Sequence, residues 1–183
     1  YDAVVKYKMQ YLYNYFEQDK DCIVNSESFN VFLNENQHWL MPYAAFCYLR
    51  EKYLTADFFE WGADVNFSPA RVQEICNIKN EAYQDILFTY FLQYILHNQF
   101  KSVSDYARQK GIILKGDLPI GVNRMSVEAW TERAYVNMAE QAGAPPDDFS
   151  DIGQNWSFTT YNWDIMEKDG YTWWKKRFQM LSD

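Results

Sequence analysis

GIILKGDLPIGV at 111–122, AGAPPDDFSDIGQNW at 142–156 and YNW at 161–163 are the segments on which the reading of this chain turns. The first predicts a short apolar strand over 112–114, closed by Gly116 and Asp117 and stopped by Pro119, because β-branched residues favour strands and proline ends them. A carboxylate placed where a buried strand ends stands at the active-site rim of an α/β barrel. From 143 to 156 the chain carries Pro-Pro, Asp, Gly and Trp with neither a helical nor a strand period. That is long for an idle connection and points to a binding loop.

Composition bounds the rest. With 183 residues, 48% of them hydrophobic, the chain is large enough for one domain with a proper core. Aromatic residues make up 19%, more than core packing needs, so some rings are expected on a surface or in a groove, where they suit sugars and peptides alike. A net charge of −8 argues against a nucleic-acid partner, whose phosphates call for a basic stripe. Cys22, Cys47 and Cys76 are odd in number and lie in neither C-x-x-C nor Cys/His spacing. They indicate neither a disulfide framework nor a zinc site, and a reducing, cytoplasmic location is the simplest expectation. No apolar run approaches the roughly 20 residues of a membrane helix, and no signal-like segment opens the chain. Starting at Tyr1 inside a helical pattern, the sequence reads as a piece of a longer protein.

Helical periodicity covers most of the first 110 residues. Val4, Val5, Met9, Leu12, Tyr13 and Phe16 form a stripe over 3–16, followed by a polar stretch from Asp19 to Ser26. Ser26 or Ser28 is placed to cap a short helix through Phe32 and Leu33, and Pro42 suits the first turn of the next helix, MPYAAFCYLREKYL. Trp39 is expected to pack back onto it. Residues 56–67 read as irregular, and Ser68-Pro69 as a cap and first turn for a helix over 69–77. A long apolar helix then runs from Glu81 to Lys110, about 45 Å at 1.5 Å per residue, with Gly111 as its stop. Helix, glycine and β-branched strand in that order make the αβ step of a parallel α/β unit. Beyond the strand, Ser126 is expected to cap SVEAW, and Asn162 to cap a last helical region bearing Trp163, Met166, Tyr171, Trp174, Phe178 and Leu181. Asp169-Gly170 reads as a bend in that region, and KKRFQM as a basic final turn.

Candidate chemistry is sparse. His38 and His97 have no Ser, Cys or carboxylate at a catalytic spacing, so a structural role is favoured for both. Asp117 is the best single candidate, although a plain strand-end or turn aspartate explains it equally well. Asp147, Asp148 and Asp151 are more often turn residues that bond their own loop's amides. A retaining glycosidase needs two carboxylates about 5 to 5.5 Å apart, and nothing in the spacing pairs Asp117 with Asp147 in that way. Gln154 and Trp156 carry a stronger signal: an aromatic plane beside amides in a polar loop is what a neutral polyhydroxylated ligand can use.

Taken together, KGIILKGDLPIGVNR, SVEAW, QAGAPPDDFS, GQNW and YNWDIMEKDGYTWW closely resemble the amylomaltase, or disproportionating-enzyme, family of 4-α-glucanotransferases, and most of all its plant cytosolic form. NSESF and NENQHWLMPYAAFCYLR extend the resemblance upstream, so that it covers essentially the whole chain. It implies an α/β fold, here a mostly helical fragment of an α-amylase-like (β/α)8 barrel: a helical region over 1–110, then over 111–183 one barrel strand, an active-site loop and a helix.

By the same resemblance Asp117 supports the donor sugar without attacking it, the loop from Gly143 to Gly153 arches over the cleft, and Asp147, Phe149, Gln154 and Trp156 contact bound glucan. The implied ligands are α-1,4-glucans, maltose and a glycogen-like polysaccharide, with no metal or organic cofactor and no membrane or nucleic-acid partner. The implied reaction is retaining transfer, with the nucleophile in an R-x-D-H stretch and an acid/base glutamate further on. No R-x-D-H occurs in this chain, so it is expected to be inactive alone and to self-associate over uncovered apolar faces. Ser157 and Thr159 stand where related sequences usually have Gly and Pro, and Met125 where a small or polar residue is usual. Ser157 is therefore expected to be strained if its turn needs a positive φ. The competing reading is a noncatalytic helical glucan-binding or assembly module.

Overall fold

The computed structural model describes the backbone of residues 1–182 and all of their side chains except those of residues 2 and 180–182. The contacts divide it into two compact units, one built from Tyr1–Lys52 and Ser68–Ile113, the other from Tyr53–Phe67 and Leu114–Asp183.

The first unit is helical: α1 (Asp2–Val24), most of α2 (Glu27–Tyr53), α3 (Pro69–Ile75) and α4 (Tyr83–Gln109). Its packing is led by aromatic side chains. Phe16 of α1 sits 5.0 Å from Phe91 and 5.7 Å from Phe88 of α4 between ring centroids, and Phe29 of α2 meets Tyr94 edge-on at 5.3 Å. Burying each such ring is worth roughly 1.5–3 kcal/mol. The stripe expected on α1 is helical, but only Phe16 of it is fully buried; Val4, Val5 and Met9 are exposed. α1 also runs through the polar residues from Asp19 onward that were expected to end it. Those side chains are largely exposed and acceptable to a helix, and the break falls at Asn25, whose side-chain Nδ2 donates to the Asp21 carbonyl at 2.7 Å.

A second correction concerns Pro42. It does not open a helix but lies inside α2, which is continuous over 27 residues. Proline offers no N–H to the His38 carbonyl and costs about 3 kcal/mol in a helix interior. Against that, Phe29, Phe32, Leu40, Phe46 and Leu49 are all buried along α2, and five large side chains at roughly 1.5–3 kcal/mol each outweigh one missing bond. Ser26, not Ser28, supplies the cap, its hydroxyl accepting from the Phe29 amide at 3.3 Å. Ser68 caps α3 in the same way. Trp39 packs toward Tyr43 one turn on, and its indole N–H donates to Asn36. α4 is slightly shorter than expected, about 40 Å for its 27 residues.

The strand expected over 112–114 is absent. Residues 112–122 have no regular secondary structure and no ladder, and Ile113 is 91% exposed. A parallel strand draws its order from neighbours on either side, and among the described residues none pairs with it. The strands that do form are short and antiparallel: β1 (Val136–Asn137) with β4 (Thr160–Tyr161), and β2 (Gly143–Ala144) with β3 (Gln154–Asn155). They nest, so that 136–161 makes one long hairpin carrying the Pro-Pro loop at its tip.

The second unit packs this hairpin with α5 (Val127–Thr131), α6 (Trp163–Lys168), α7 (Thr172–Ser182) and the one-turn helices Phe58–Glu60 and Gly62–Asp64. Trp61 and Trp130 are its centre, 5.7 Å apart and edge to face, with Phe67 a further 5.2 Å from Trp130. Ser126 and Asn162 cap α5 and α6 as the sequence predicts. Lys175, Lys176 and Arg177 lie in the middle of α7 and do not form its last turn. The bend at Asp169-Gly170 separates α6 from α7, and the Tyr135 hydroxyl donates to Asp169 there. Leu181 lies outside the described side chains.

Candidate functional site

The hairpin tip is organised by its own side chains. Asp147 Oδ1 accepts from the amides of Phe149 and Ser150, both at 2.9 Å, and the Asp147 and Ser150 backbones exchange bonds at 3.1 and 3.2 Å. Ser150 Oγ then donates to the Gly153 carbonyl at 2.7 Å. This is the turn chemistry open to a short carboxylate, and it leaves Phe149 and Ile152 each 94% exposed at the tip. Neither ring nor aliphatic chain at the tip contributes to the core of its unit.

Two glycines let the stem close beneath the tip. A Cβ on Gly143 would lie 2.1 Å from the Gln154 carbonyl oxygen, and Gly153 holds φ at +74° with a Cβ position 2.6 Å from the Ala144 oxygen. Only glycine accepts either situation without a backbone shift.

Gln154 and Trp156, two residues apart on the same face of an extended segment, are brought together by this stem. The Trp156 indole N–H donates to Gln154 Oε1 at 3.0 Å, and the Trp156 amide donates to the Ala142 carbonyl at 3.0 Å. With its N–H used, the 46% exposed indole offers a ligand its ring face, while Gln154 keeps its amide N–H donors toward solvent. A plane with adjacent donors binds the apolar face and hydroxyl edge of a sugar.

The turn after Trp156 carries strain. Ser157 adopts φ +61°, stabilised by its amide donating to Asn155 Oδ1 at 2.8 Å. The left-handed region costs a residue with a Cβ roughly 1–2 kcal/mol, part of which glycine would return through its larger unfolded entropy. Ser157→Gly is expected to raise stability by about 0.5–1 kcal/mol in urea unfolding; a lower midpoint at unchanged slope would contradict this. Thr159, next but one, is buried and donates its amide to the Val122 carbonyl at 3.1 Å.

Asp117 lies apart from the hairpin in sequence, exposed on the irregular segment 112–122. Two side chains from the YNW and KKRFQM runs, neither assigned a role of its own there, act on that segment: the Tyr161 hydroxyl donates to the Ile120 carbonyl at 2.6 Å, and an Arg177 Nη donates to the Pro119 carbonyl at 2.7 Å. The sequence marked neither side chain for this role, since neither periodicity nor residue type identifies a side chain that bonds a backbone oxygen far along the chain. Among the described residues no group of three or more His, Cys, Asp and Glu side chains is arranged to hold a metal ion, and no helix is long and apolar enough to cross a membrane.

A family model described as 4-alpha-glucanotransferase matches residues 1–183. The chain belongs to the 4-alpha-glucanotransferase family. It is 43% identical over 182 residues to 4-alpha-glucanotransferase DPE2 of Oryza sativa subsp. japonica, covering all of this chain and 19% of that protein. It is 32% identical over 180 residues to the 4-alpha-glucanotransferase of Chlamydia muridarum, 98% of this chain and 33% of the relative. Among solved structures, the amylomaltase from Streptococcus agalactiae in complex with acarbose superposes with a TM-score of 0.76 at 28% identity, covering 91% of this chain and 35% of that one. The chain thus spans between a fifth and about a third of the length of these proteins, and its helices and short hairpins match part of an amylomaltase fold.

Proposed function

We propose that the full-length protein containing this chain transfers glucosyl or maltooligosyl units between α-1,4-glucans by a retaining mechanism, and that this chain supplies the donor-side wall and overhanging loop of the glucan cleft. The observation that carries the reading is the Gln154–Trp156 pair, an indole face beside free amide donors on a glycine-tight stem, within a chain of this family. The acarbose bound to the streptococcal amylomaltase supports a glucan-like ligand. In this reading Phe149, exposed at the tip, closes over bound glucan, and Asp147 keeps the tip in shape by bonding its amides. Asp117 accepts hydrogen bonds from donor-sugar hydroxyls.

The retaining chemistry runs in two displacements. A carboxylate attacks the anomeric carbon while an acid protonates the departing glycosidic oxygen. The same acid, now a base, then takes the proton of an acceptor hydroxyl whose oxygen displaces the carboxylate. Both carboxylates lie in the remainder of the protein, so the isolated 183-residue chain is inactive. The helical region over 1–110 and the segment over 111–183 form one incomplete catalytic domain, and residues 112–114 become a barrel strand only beside neighbours from the rest of the protein. Without them the chain self-associates through its uncovered apolar side chains. The reading further entails an intracellular enzyme acting on maltose and glycogen-like polysaccharide without metal, organic cofactor or nucleic acid.

Incubating the full-length protein with maltose and glycogen is expected to release free glucose with redistribution of outer chain lengths. The isolated chain is expected to release none. No glucose and no redistribution from the full-length protein would sink the proposal.

A further inference from the structure

We propose that Tyr161 and Arg177 are positioning residues that anchor the backbone immediately after Asp117 and so hold its carboxylate where a donor sugar can use it. The inference rests on the reading of Asp117 as a sugar-binding carboxylate.

Among the described residues segment 112–122 has no strand partner to order it, yet three carbonyls at its C-terminal end have donors. Within four residues, all three are taken by groups from the returning arm of the hairpin and from α7: Pro119 by Arg177 at 2.7 Å, Ile120 by the Tyr161 hydroxyl at 2.6 Å, and Val122 by the Thr159 amide at 3.1 Å. The two side-chain donors reach across 58 and 41 residues of sequence. Asp117 is only two Cα–Cα steps of about 3.8 Å from the first anchored carbonyl. Pro119 itself stiffens one of those steps.

Both donors are held before they act. The Arg177 guanidinium lies 4.5 Å over the Trp173 ring and 5.8 Å from that of Trp174, with Glu128 Oε1 4.0 Å from one Nη. Its side chain is 18% exposed, so most of the entropy of a long flexible chain is already lost to stacking. The Tyr161 ring packs against Trp163, Trp173 and Trp174 at 5.1–5.7 Å between centroids. Burial raises its phenol above the ordinary range against the opposing pull of the Arg177 charge, and the retained proton keeps the hydroxyl a donor at neutral pH. A hydrogen bond to a reacting sugar fails with displacements near 1 Å, which can lower a rate about a hundredfold. An exposed carboxylate on unladdered backbone therefore gains most from such anchors.

The test is a double-mutant cycle in the full-length transferase, with kcat and KM measured on maltose with glycogen as acceptor. Tyr161→Phe is expected to lower kcat about tenfold, partway to the misplacement limit, with KM changed less than about twofold. In an Asp117→Asn background the same change is expected to lower kcat less than about twofold, because coupled residues are not additive. Arg177→Gln should behave likewise, with partial recovery in Arg177→Lys, which keeps a donor but not the planar fork. Equal factors in both backgrounds, or no effect of either single change, would overturn the positioning role. Should Asp117→Asn alone leave kcat untouched, the role assigned to Asp117 falls, and this inference with it. Far-UV circular dichroism of each variant separates misfolding from these outcomes, with Arg177→Lys as the least disruptive member.

Discussion

Replacing Trp130 with alanine is expected to destabilise the unit containing the hairpin by about 3–5 kcal/mol, the range for removing a buried tryptophan from a core. Trp130 is 2% exposed and the meeting point of α5 with the one-turn helices, edge-on to Trp61 and to Phe67. Its indole N–H also donates to the Asp64 carbonyl at 3.2 Å. Two terms therefore disappear together: the burial and contacts of the largest side chain, and one hydrogen bond worth roughly 0.5–1.5 kcal/mol. Trp130→Phe keeps most of the ring and is expected to lose about 1–3 kcal/mol. Guanidinium unfolding followed by near-ultraviolet circular dichroism reports on this unit. A cost below about 1 kcal/mol for the alanine variant would show that the hairpin is held by something else.

Asp117→Asn in the full-length protein carries the largest expected effect on transfer. Hydrogen bonds to a glucosyl hydroxyl that strengthen as the oxocarbenium-like transition state forms are worth several kcal/mol, so kcat on maltose is expected to fall roughly 100- to 1,000-fold. Asparagine has nearly the same shape and keeps one acceptor, and Asp117 is exposed on a segment without regular secondary structure. The unfolding midpoint should therefore hold within about 0.5 kcal/mol, as for surface changes generally. The split matters: a raised KM at unchanged kcat would mean that Asp117 binds ground state and transition state equally. Unchanged kcat and KM would remove it from the site.

Much of the helical framework was legible in the residues. Ser26, Ser68, Ser126 and Asn162 each accept from an amide three positions ahead, and a bond that short in sequence leaves its mark in local spacing. The site was legible in part. Gln154 and Trp156 stood out because a tryptophan among amides is unusual in a loop, and Asp147 bonds its own loop as short carboxylates do. Ser157 adopts a positive φ, +61°, the condition under which strain was expected there.

What local spacing could not settle lies in bonds that span the chain. Pro42 looked like a helix start because its cost is local, while the burial that outweighs it comes from packing along the whole of α2. Residues 112–114 looked like a strand because their side chains favour one, but a strand exists only with a partner, and among the described residues none comes to it. By itself, the sequence determined the caps, most of the helices and the family, through residues close together or in diagnostic runs. Tertiary structure decided that the loop of 142–156 is a nested hairpin with Trp156 bonded to Gln154. It alone brought Tyr161 and Arg177 to the carbonyls beside Asp117, since contacts across 41 and 58 residues depend on the packing of the fold and leave no period in the chain.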